Sequence, residues 1–254
     1  MSYLHGKFIW FEHVSDDPAK ARAFYEPLFG WHVEGMPMGD QRYEMIHNGS
    51  DGIGGLMKAQ PGEPTAWRSY ISVEDIAASY QAALAAGARG VMPPTPFGPV
   101  GVGASLVDPT GAAVSLWHSA DADRPDPERI PIGDWYWDEL WTPDARKAVT
   151  FYEQALGYIH TEMNMGDQGT YFLLHAGGKP RAGVFQSPPD KAAPPMWLPY
   201  VHVADCDATA AKAAELGGHV FMPPTDVPDV GRIAAMFDPQ GAPIAFIRST
   251  PAQG

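Results

Sequence analysis

The sequence has one cysteine, Cys206, among 254 residues. A single cysteine excludes an internal disulfide and any metal cluster held by several thiolates. No apolar run approaches the roughly 20 residues that a membrane-spanning helix needs, so we expect no membrane partner. Basic residues are also few: 17 lysines and arginines stand against 30 acidic residues, which gives a formal net charge of −13. A surface of this sign repels phosphate backbones, so we expect no nucleic-acid partner.

The composition is that of an ordinary globular protein. Hydrophobic residues make up 45% of the chain and charged residues 19%, which argues against a disordered or fibrous class. A chain of this length is typical of one large or two modest domains. The N-terminal residues MSYLHGKFIWFEH lack the charged-then-apolar layout of a signal peptide, so we expect a cytoplasmic location.

The chain contains an internal duplication. Three motifs recur after 127 to 130 residues: Phe24-Tyr25-Glu26 as Phe151-Tyr152-Glu153, Val91-Met92-Pro93-Pro94-Thr95 as Phe221-Met222-Pro223-Pro224-Thr225, and Asp108-Pro109-Thr110-Gly111 as Asp238-Pro239-Gln240-Gly241. The segment between the copies, from Ser119 to Gly133, is rich in Asp, Pro and Arg, as an exposed linker is. We therefore predict two homologous domains, 5–119 and 133–250, joined by a linker over 120–132.

Each copy predicts the element order βαβββ twice. In the first module, Lys7–Val14 favours a strand, and Asp17 followed by Pro18 is typical of a helix start. Gly30 can end that helix in the left-handed conformation. The same signals predict further helices over Ile76–Ala86 and near Asp144–Leu156 and Asp205–Leu216, while Met92-Pro93-Pro94-Thr95 indicates a loop at the rim of the fold.

In this order and spacing the chain resembles the vicinal oxygen chelate superfamily, which includes glyoxalase I, extradiol dioxygenases and resistance proteins for fosfomycin and bleomycin. The resemblance rests on Asp17-Pro18, Phe24-Tyr25, Phe29-Gly30-Trp31, Val73-Glu74-Asp75, Pro93-Pro94, Asp108-Pro109-Thr110-Gly111 and their second copies. It implies an α+β fold of two tandem domains, each built from two βαβββ modules whose sheet curls around an open cup. It also implies that a small-molecule ligand binds in the cup. Within the superfamily, the chain is most similar to duplicated proteins described as glyoxalase-like or hydroxylase-like.

The resemblance further implies a divalent metal, which acts as a Lewis acid on two adjacent substrate oxygens. Carried over by position, its ligands would be Trp10, Arg68 and Ser115 in the first copy and Trp137, Leu198 and Ala245 in the second. Most of these side chains cannot ligate a cation. A further ligand would come from Ile53–Lys58 or Ala182–Gln186, and Gln186 is the only residue of a suitable type in these stretches. We therefore assign no residue to a metal and predict no cofactor from the residues themselves.

Four residues are candidates for catalysis. Glu12 and Glu139 are aligned by the duplication, and each follows a tryptophan by two positions, so it shares that tryptophan's strand face. A carboxylate on the cup face could act as a general base, or it could only take structural hydrogen bonds. His202 and Tyr200 alternate on another strand and could polarise a substrate oxygen. The alternative for His202 is a strand histidine bonded to a neighbour.

Aromatic residues recur at matched places in the two copies. The candidates for ligand binding are Trp10, Trp67, Tyr43 and Tyr70 in the first copy and Trp137, Trp197 and Tyr171 in the second. Such side chains can stack on flat or apolar ligands, but sheet cores use the same bulk for packing.

These observations leave three functional hypotheses open. The first is an enzyme of glyoxalase- or dioxygenase-like ancestry that acts on a small aromatic or hydrophobic molecule, with Glu139 or Glu12 as base. The second is a metal-free binding protein that sequesters such a molecule, as resistance proteins do. The third is a purely structural partner protein. A homodimer is compatible with each of them.

Overall fold

The computed structural model describes residues 3–38, 41–166, 169–187 and 194–250. Within these ranges, none of the helices combines the length and the apolar character that crossing a bilayer requires.

Four modules follow one another, each with the order strand, helix, strand, strand, strand. The first has β1 (Phe8–Ser15), α1 (Pro18–Phe29), β2 (His32–Met38), β3 (Gln41–Asn48) and β4 (Asp51–Lys58). The second has β5 (Ala66–Ser72), α2 (Ile76–Ala85), β6 (Arg89–Pro96), β7 (Gly101–Val107) and β8 (Ala113–Ser119). The third has β9 (Trp135–Thr142), α3 (Ala145–Leu156), β10 (Ile159–Asn164), β11 (Thr170–Ala176) and β12 (Lys179–Gln186). The fourth has β13 (Met196–His202), α4 (Cys206–Glu215), β14 (His219–Val227), β15 (Gly231–Phe237) and β16 (Pro243–Ser249). The predicted element order is confirmed.

The strands form two open, eight-stranded sheets. Their orders are β2-β3-β4-β1-β5-β8-β7-β6 and β10-β11-β12-β9-β13-β16-β15-β14. The first strand of each module runs parallel to the last strand of that module, as β9 does to β12, and the remaining neighbours within a module are antiparallel. This arrangement confirms the predicted α+β fold of paired βαβββ modules.

The helices begin and end where the sequence predicts. The side chains of Asp17, Asp75, Asp144 and Asp205 each accept a backbone N–H bond in the first turn of a helix, which satisfies a donor that has no partner within the helix. Gly30 and Gly157 end α1 and α3 with φ angles of 72° and 68°. This left-handed conformation suits glycine because a side chain would clash there.

The edge strands β6 and β14 correct one expectation. Met92-Pro93-Pro94-Thr95 lies within β6 and not in a rim loop, and its copy lies within β14. Proline cannot donate a hydrogen bond to a neighbouring strand, and an edge strand tolerates this because one of its sides is unpaired.

The structure divides into two compact units. The α2/α3 unit comprises Met1–Trp10, Arg68–Asp126 and Trp137–Trp197, and the α1/α4 unit comprises Phe11–Trp67, Pro127–Tyr136 and Leu198–Gly254. In each unit the two helices that name it pack against each other. Each unit thus takes modules from both repeats, while the domain boundaries 5–119 and 133–250 with their linker stay a prediction.

Candidate functional site

The carboxylate of Glu139 is held at both oxygens. The Tyr171 hydroxyl donates to Oε2 at 2.7 Å, and the Trp141 indole N–H donates to Oε1 at 2.5 Å. The Trp137 indole N–H in turn donates to the Tyr171 hydroxyl oxygen at 3.0 Å. Four side chains that β9 and β11 contribute to the α2/α3 unit therefore form one connected network around a single carboxylate.

Strand alternation places this network on the accessible face of the sheet. Along β9, Trp137, Glu139 and Trp141 are half-buried, whereas Asp138 and Leu140 between them are buried. The Phe185 ring on β12 is also half-buried, and its centroid lies 5.6 Å from that of Trp141. A carboxylate, a phenol and aromatic rings thus share one face that solvent can reach.

Gly183 makes room for the phenol of Tyr171. It pairs with Glu139 in the parallel register between β12 and β9. A Cβ atom at Gly183 would overlap the Tyr171 hydroxyl oxygen. A residue with a side chain at this position would therefore push the phenol off the carboxylate.

The first repeat has the same arrangement in the α1/α4 unit. The Tyr43 hydroxyl donates to Glu12 Oε1 at 2.9 Å, and a Cβ at Gly55 would overlap that hydroxyl. Glu12 pairs with Gly55 as Glu139 pairs with Gly183. Three differences separate the copies: Val14 and Met57 stand at the positions that correspond to Trp141 and Phe185, and Glu12 is only 8% exposed. The second repeat thus presents the more accessible carboxylate.

Tyr200 and His202 lie at the end of β13 in the α1/α4 unit. Tyr200 is buried and pairs with Ala245 on β16. His202 has partners at both ring nitrogens: Nδ1 lies 2.8 Å from the Ile130 carbonyl oxygen, and Nε2 lies 3.2 Å from Ser249 Oγ. Since a carbonyl can only accept, Nδ1 carries a proton. These bonds fix the ring, and the catalytic roles of Tyr200 and His202 stay predictions.

The other aromatic candidates differ in their surroundings. Trp67 donates to the Tyr25 hydroxyl and Trp197 to the Tyr152 hydroxyl, each at 3.0 Å, and both indoles are buried among packed rings. Tyr70 is buried with its ring centroid 6.2 Å from that of Trp117, while Trp10 is half-buried. Ligand contact by Trp10, Trp67, Trp197 and Tyr70 stays a prediction.

A buried carboxyl lies behind the network. Asp138 is 1% exposed, and one of its oxygens accepts the Glu139 backbone N–H at 3.1 Å. Burial raises the pKa of Asp138 to about 8 and outweighs the hydrogen bonds from the Ser69 side chain and the Glu139 N–H, which lower it. The carboxyl on the buried face of β9 is therefore protonated at neutral pH.

The side chains at the implied metal positions do not fit a divalent ion. Trp137, Leu198 and Ala245 offer no lone pair that a hard or borderline cation prefers. Across the described part of the chain, no group of three or more His, Cys, Asp or Glu side chains could hold a metal ion. Gln186 has another role, since its side chain bonds the Pro143 carbonyl and the first N–H of α3, that of Ala145.

Glu139 and Tyr171 were candidates from the sequence, whereas the bond of Trp141 to the carboxylate and the roles of Gly183 and Gly55 were not predicted. A signal was present for the glycines, because Gly55 and Gly183 are matched by the duplication and each lies among apolar residues in the middle of its strand. Val14 stands at the position of Trp141 in the first repeat, so the duplication gave no such signal for this tryptophan.

A Gly183→Ala variant is expected to lose about 1–3 kcal/mol of unfolding free energy, because the new methyl group overlaps the Tyr171 hydroxyl. Urea unfolding measures the loss. In a Tyr171→Phe background the hydroxyl is gone, so the same substitution should cost clearly less there. Equal losses in both backgrounds would contradict this account of the glycine.

Comparison with known proteins agrees with this architecture. The model of the Glyoxalase/Bleomycin resistance protein/Dioxygenase superfamily matches residues 7–116 and 137–246. The chain is 34% identical over 259 residues to "Putative glyoxylase CFP32" of Mycobacterium tuberculosis (strain CDC 1551 / Oshkosh), covering 99% of this chain and 98% of that protein. It is 30% identical over 263 residues to "Anthracycline biosynthesis protein DnrV" of Streptomyces peucetius, covering 96% and 94%.

Two solved structures show the same fold. A Mn(II)-bound glyoxalase from Novosphingobium aromaticivorans has a TM-score of 0.65 at 16% identity, covering 97% of this chain and 82% of that one. The 2,2',3-trihydroxybiphenyl 1,2-dioxygenase of Sphingomonas wittichii strain RW1 has a TM-score of 0.67 at 17% identity, covering 98% and 91%. At such identities the likeness concerns the fold alone. The family match over both repeats and the two relatives together show that the chain belongs to the glyoxalase/bleomycin resistance protein/dioxygenase superfamily.

Proposed function

We propose that the chain acts on a small planar aromatic molecule at the second repeat, with Glu139 as general base and without a resident metal. The observation that carries this proposal is the Glu139 carboxylate, which Tyr171 and Trp141 hold on an accessible, aromatic face. Glu139 replaces no implied metal ligand, so its chemistry here is that of a positioned carboxylate.

The aromatic rings of this face supply the recognition. Trp137, Trp141 and Phe185 are half-buried, which leaves part of each ring available to a ligand. Stacking on such rings favours flat, apolar ligands, and few precisely placed polar groups then fix the ligand's orientation. The name of the Streptomyces relative refers to anthracycline biosynthesis, and anthracyclines are polycyclic aromatic compounds.

The polar groups of the network have complementary roles in this proposal. Glu139 can accept a proton from an acidic hydroxyl or carbon of the ligand that lies within hydrogen-bond reach. Tyr171 already donates to this carboxylate and can shift that hydrogen bond as charge moves onto a ligand oxygen. Trp137 holds the phenol oxygen in place through its indole N–H.

A second candidate function is binding without turnover. Both oxygens of Glu139 already accept a hydrogen bond, which suits a fixed acceptor for a ligand hydroxyl as well as it suits a base. In that case the protein would sequester its ligand. A cytoplasmic location and a homodimer are part of the proposal for either function.

A Glu139→Gln variant distinguishes the two functions. Tryptophan fluorescence should be quenched by planar phenolic and quinone compounds in the parent chain, and the best of them should be tested for turnover. We expect Glu139→Gln to lower turnover by about 10²–10⁴-fold while the Kd changes by less than tenfold. Binding with no turnover in the parent chain would favour sequestration.

The first repeat provides the matched control. Glu12→Gln makes the same chemical change on the less exposed carboxylate, and it should leave ligand binding and turnover at the parent level. Dialysis against a chelator should also leave both unchanged. Activity that is lost to the chelator and restored by a divalent ion would overturn the metal-free part of the proposal, and an unquenched fluorescence across the panel would overturn the aromatic part.

A further inference from the structure

In the α2/α3 unit, the imidazole of His5 fills a groove between the end of α3 and the start of α2. Nε2 lies 2.9 Å from the Leu156 carbonyl oxygen, and the Glu74 backbone N–H donates to Nδ1 at 3.4 Å. A carbonyl can only accept and an N–H can only donate, so Nε2 is the donor and Nδ1 the acceptor in this arrangement. His5 thus bridges one backbone acceptor and one backbone donor.

The α1/α4 unit has the same backbone frame. The duplication aligns His5 with Ile132, Leu156 with Phe29 and Glu74 with Ala204. The glycines that follow adopt the same conformation, with φ angles of 81° at Gly6 and 86° at Gly133. Their N–H groups make equivalent bonds, to Ser72 O at 2.8 Å and to His202 O at 2.7 Å. The backbone that receives the imidazole in one unit therefore recurs in the other.

The side chain that fills the groove does not recur. The α1/α4 unit has a cavity of about 300 Å³ at this place, lined among others by Leu28, Phe29, Ile132, Ala204, Ala208 and Lys212. Ile132 cannot form hydrogen bonds through its side chain, and 51% of it is exposed. The volume lies at the lower end of the range for small-ligand pockets.

We propose that this cavity binds a small neutral heteroaromatic compound of the imidazole class. Its ring N–H would donate to the Phe29 carbonyl, and its bare ring nitrogen would accept from the Ala204 N–H, as His5 does with Leu156 and Glu74. Leu28 and the Phe29 ring provide an apolar wall for a fused or alkyl substituent. The cavity lies entirely in the α1/α4 unit, so the inference does not depend on the Glu139 network.

The probe is benzimidazole, added to the full chain and followed by amide chemical shifts in heteronuclear NMR. We expect saturable shifts centred on Ala204 and the end of α1. An Ile132→His variant supplies the imidazole from the chain itself, as the other unit does, and should weaken benzimidazole binding at least tenfold. The ligand 1-methylbenzimidazole lacks the N–H donor and should bind at least fivefold more weakly than benzimidazole.

The reciprocal variant tests the same idea in the other unit. His5→Ile removes the imidazole and should create a second site, with new shifts at Glu74 and a stoichiometry that rises from one to two. Unfolding curves show whether each variant is folded. If His5→Ile does not fold, the Ile132→His variant and the methylated ligand still test the proposal. Benzimidazole binding that neither Ile132→His nor N-methylation weakens would overturn the proposal, as would the absence of saturable shifts in the parent chain.

Discussion

An Asp138→Asn variant is expected to be more stable than the parent chain at pH 7, by on the order of 3 kcal/mol. Burial raises the pKa of Asp138 to about 8 in the folded chain, whereas an unfolded aspartate has a pKa of about 3.9. Between these values only the unfolded chain releases the proton, which favours unfolding by about 1.4 kcal/mol per pH unit. Asparagine resembles the protonated carboxyl and has no proton to release, although its extra buried donor offsets about 1 kcal/mol.

The sign of the pH dependence makes this prediction specific. Because the folded pKa is raised, the free energy of unfolding is unaffected by Asp138 ionisation below about pH 4. It decreases as the pH rises towards 8 and is constant above that. The difference between variant and parent in urea unfolding should therefore grow from pH 4 to pH 8 and then level off. A difference that does not vary with pH would show that the carboxyl is ionised in the folded chain.

Asp126 serves as a control of opposite sign. Partial burial opposes its ionisation, but Arg181 and Lys179, each with a nitrogen 2.8 Å from a carboxylate oxygen, outweigh this and lower the pKa of Asp126. Since the folded pKa is lowered, its contribution is present above the unfolded pKa and lost as the pH falls through the folded value. Asp126→Asn should therefore destabilise the chain at neutral pH, and this loss should shrink in acid.

The local elements could be predicted because their signals are local. An aspartate before a proline or an alanine-rich segment begins each helix, and a glycine follows the end of each. The pair Pro93-Pro94 indicates a loop because proline is usually a strand breaker, and only the sheet order shows that β6 is an edge strand. The two compact units could not be predicted, because the duplication reveals homologous segments and not which of them pack together.

The candidate site could be predicted only in part. Strand alternation correctly placed Glu139 on the same face of β9 as Trp137. The bond between Tyr171 and Glu139 depends on how β11, β12 and β9 are aligned, and this alignment includes a register shift between Leu174 and His175. A shift of one residue reverses the faces of a strand, so such contacts cannot be read from the spacing of residues alone.

The two repeats kept the carboxylates and changed their neighbours. Glu12 and Glu139 are identical, while Phe11 corresponds to Asp138 and His13 to Leu140 on the buried face of the same strands. The buried ionisable side chain thus stands at a different position in each copy. In the first copy it is His13, which pairs with the carboxylate of Asp238. Removing this carboxylate is expected to destabilise the chain, whereas replacing Asp138 is expected to stabilise it.

An Asp238→Ala variant is expected to lose about 3–5 kcal/mol of unfolding free energy. The buried carboxylate of Asp238 lies 2.7 Å from His13 Nε2 and accepts the Tyr25 hydroxyl at 3.0 Å, both in the α1/α4 unit. It also accepts the backbone N–H groups of Gln240 and Ala242 at 2.8 and 2.9 Å. Removing one partner of a buried, hydrogen-bonded charge leaves the remaining groups unpaired and is strongly destabilising.

The second repeat provides the matched comparison. Asp108 accepts the Tyr152 hydroxyl and the N–H groups of its own turn, but Leu140 stands where His13 would be. A His13→Leu variant copies this arrangement and should lose clearly less stability than Asp238→Ala, because Asp238 keeps the phenol and the backbone donors. Burial opposes the ionisation of Asp238, but His13 and the turn outweigh it and lower its pKa, so the loss in Asp238→Ala should shrink below about pH 4. If His13→Leu proves as damaging as Asp238→Ala, the histidine and not the turn makes the larger contribution, and the account of Asp238 as the central acceptor is wrong.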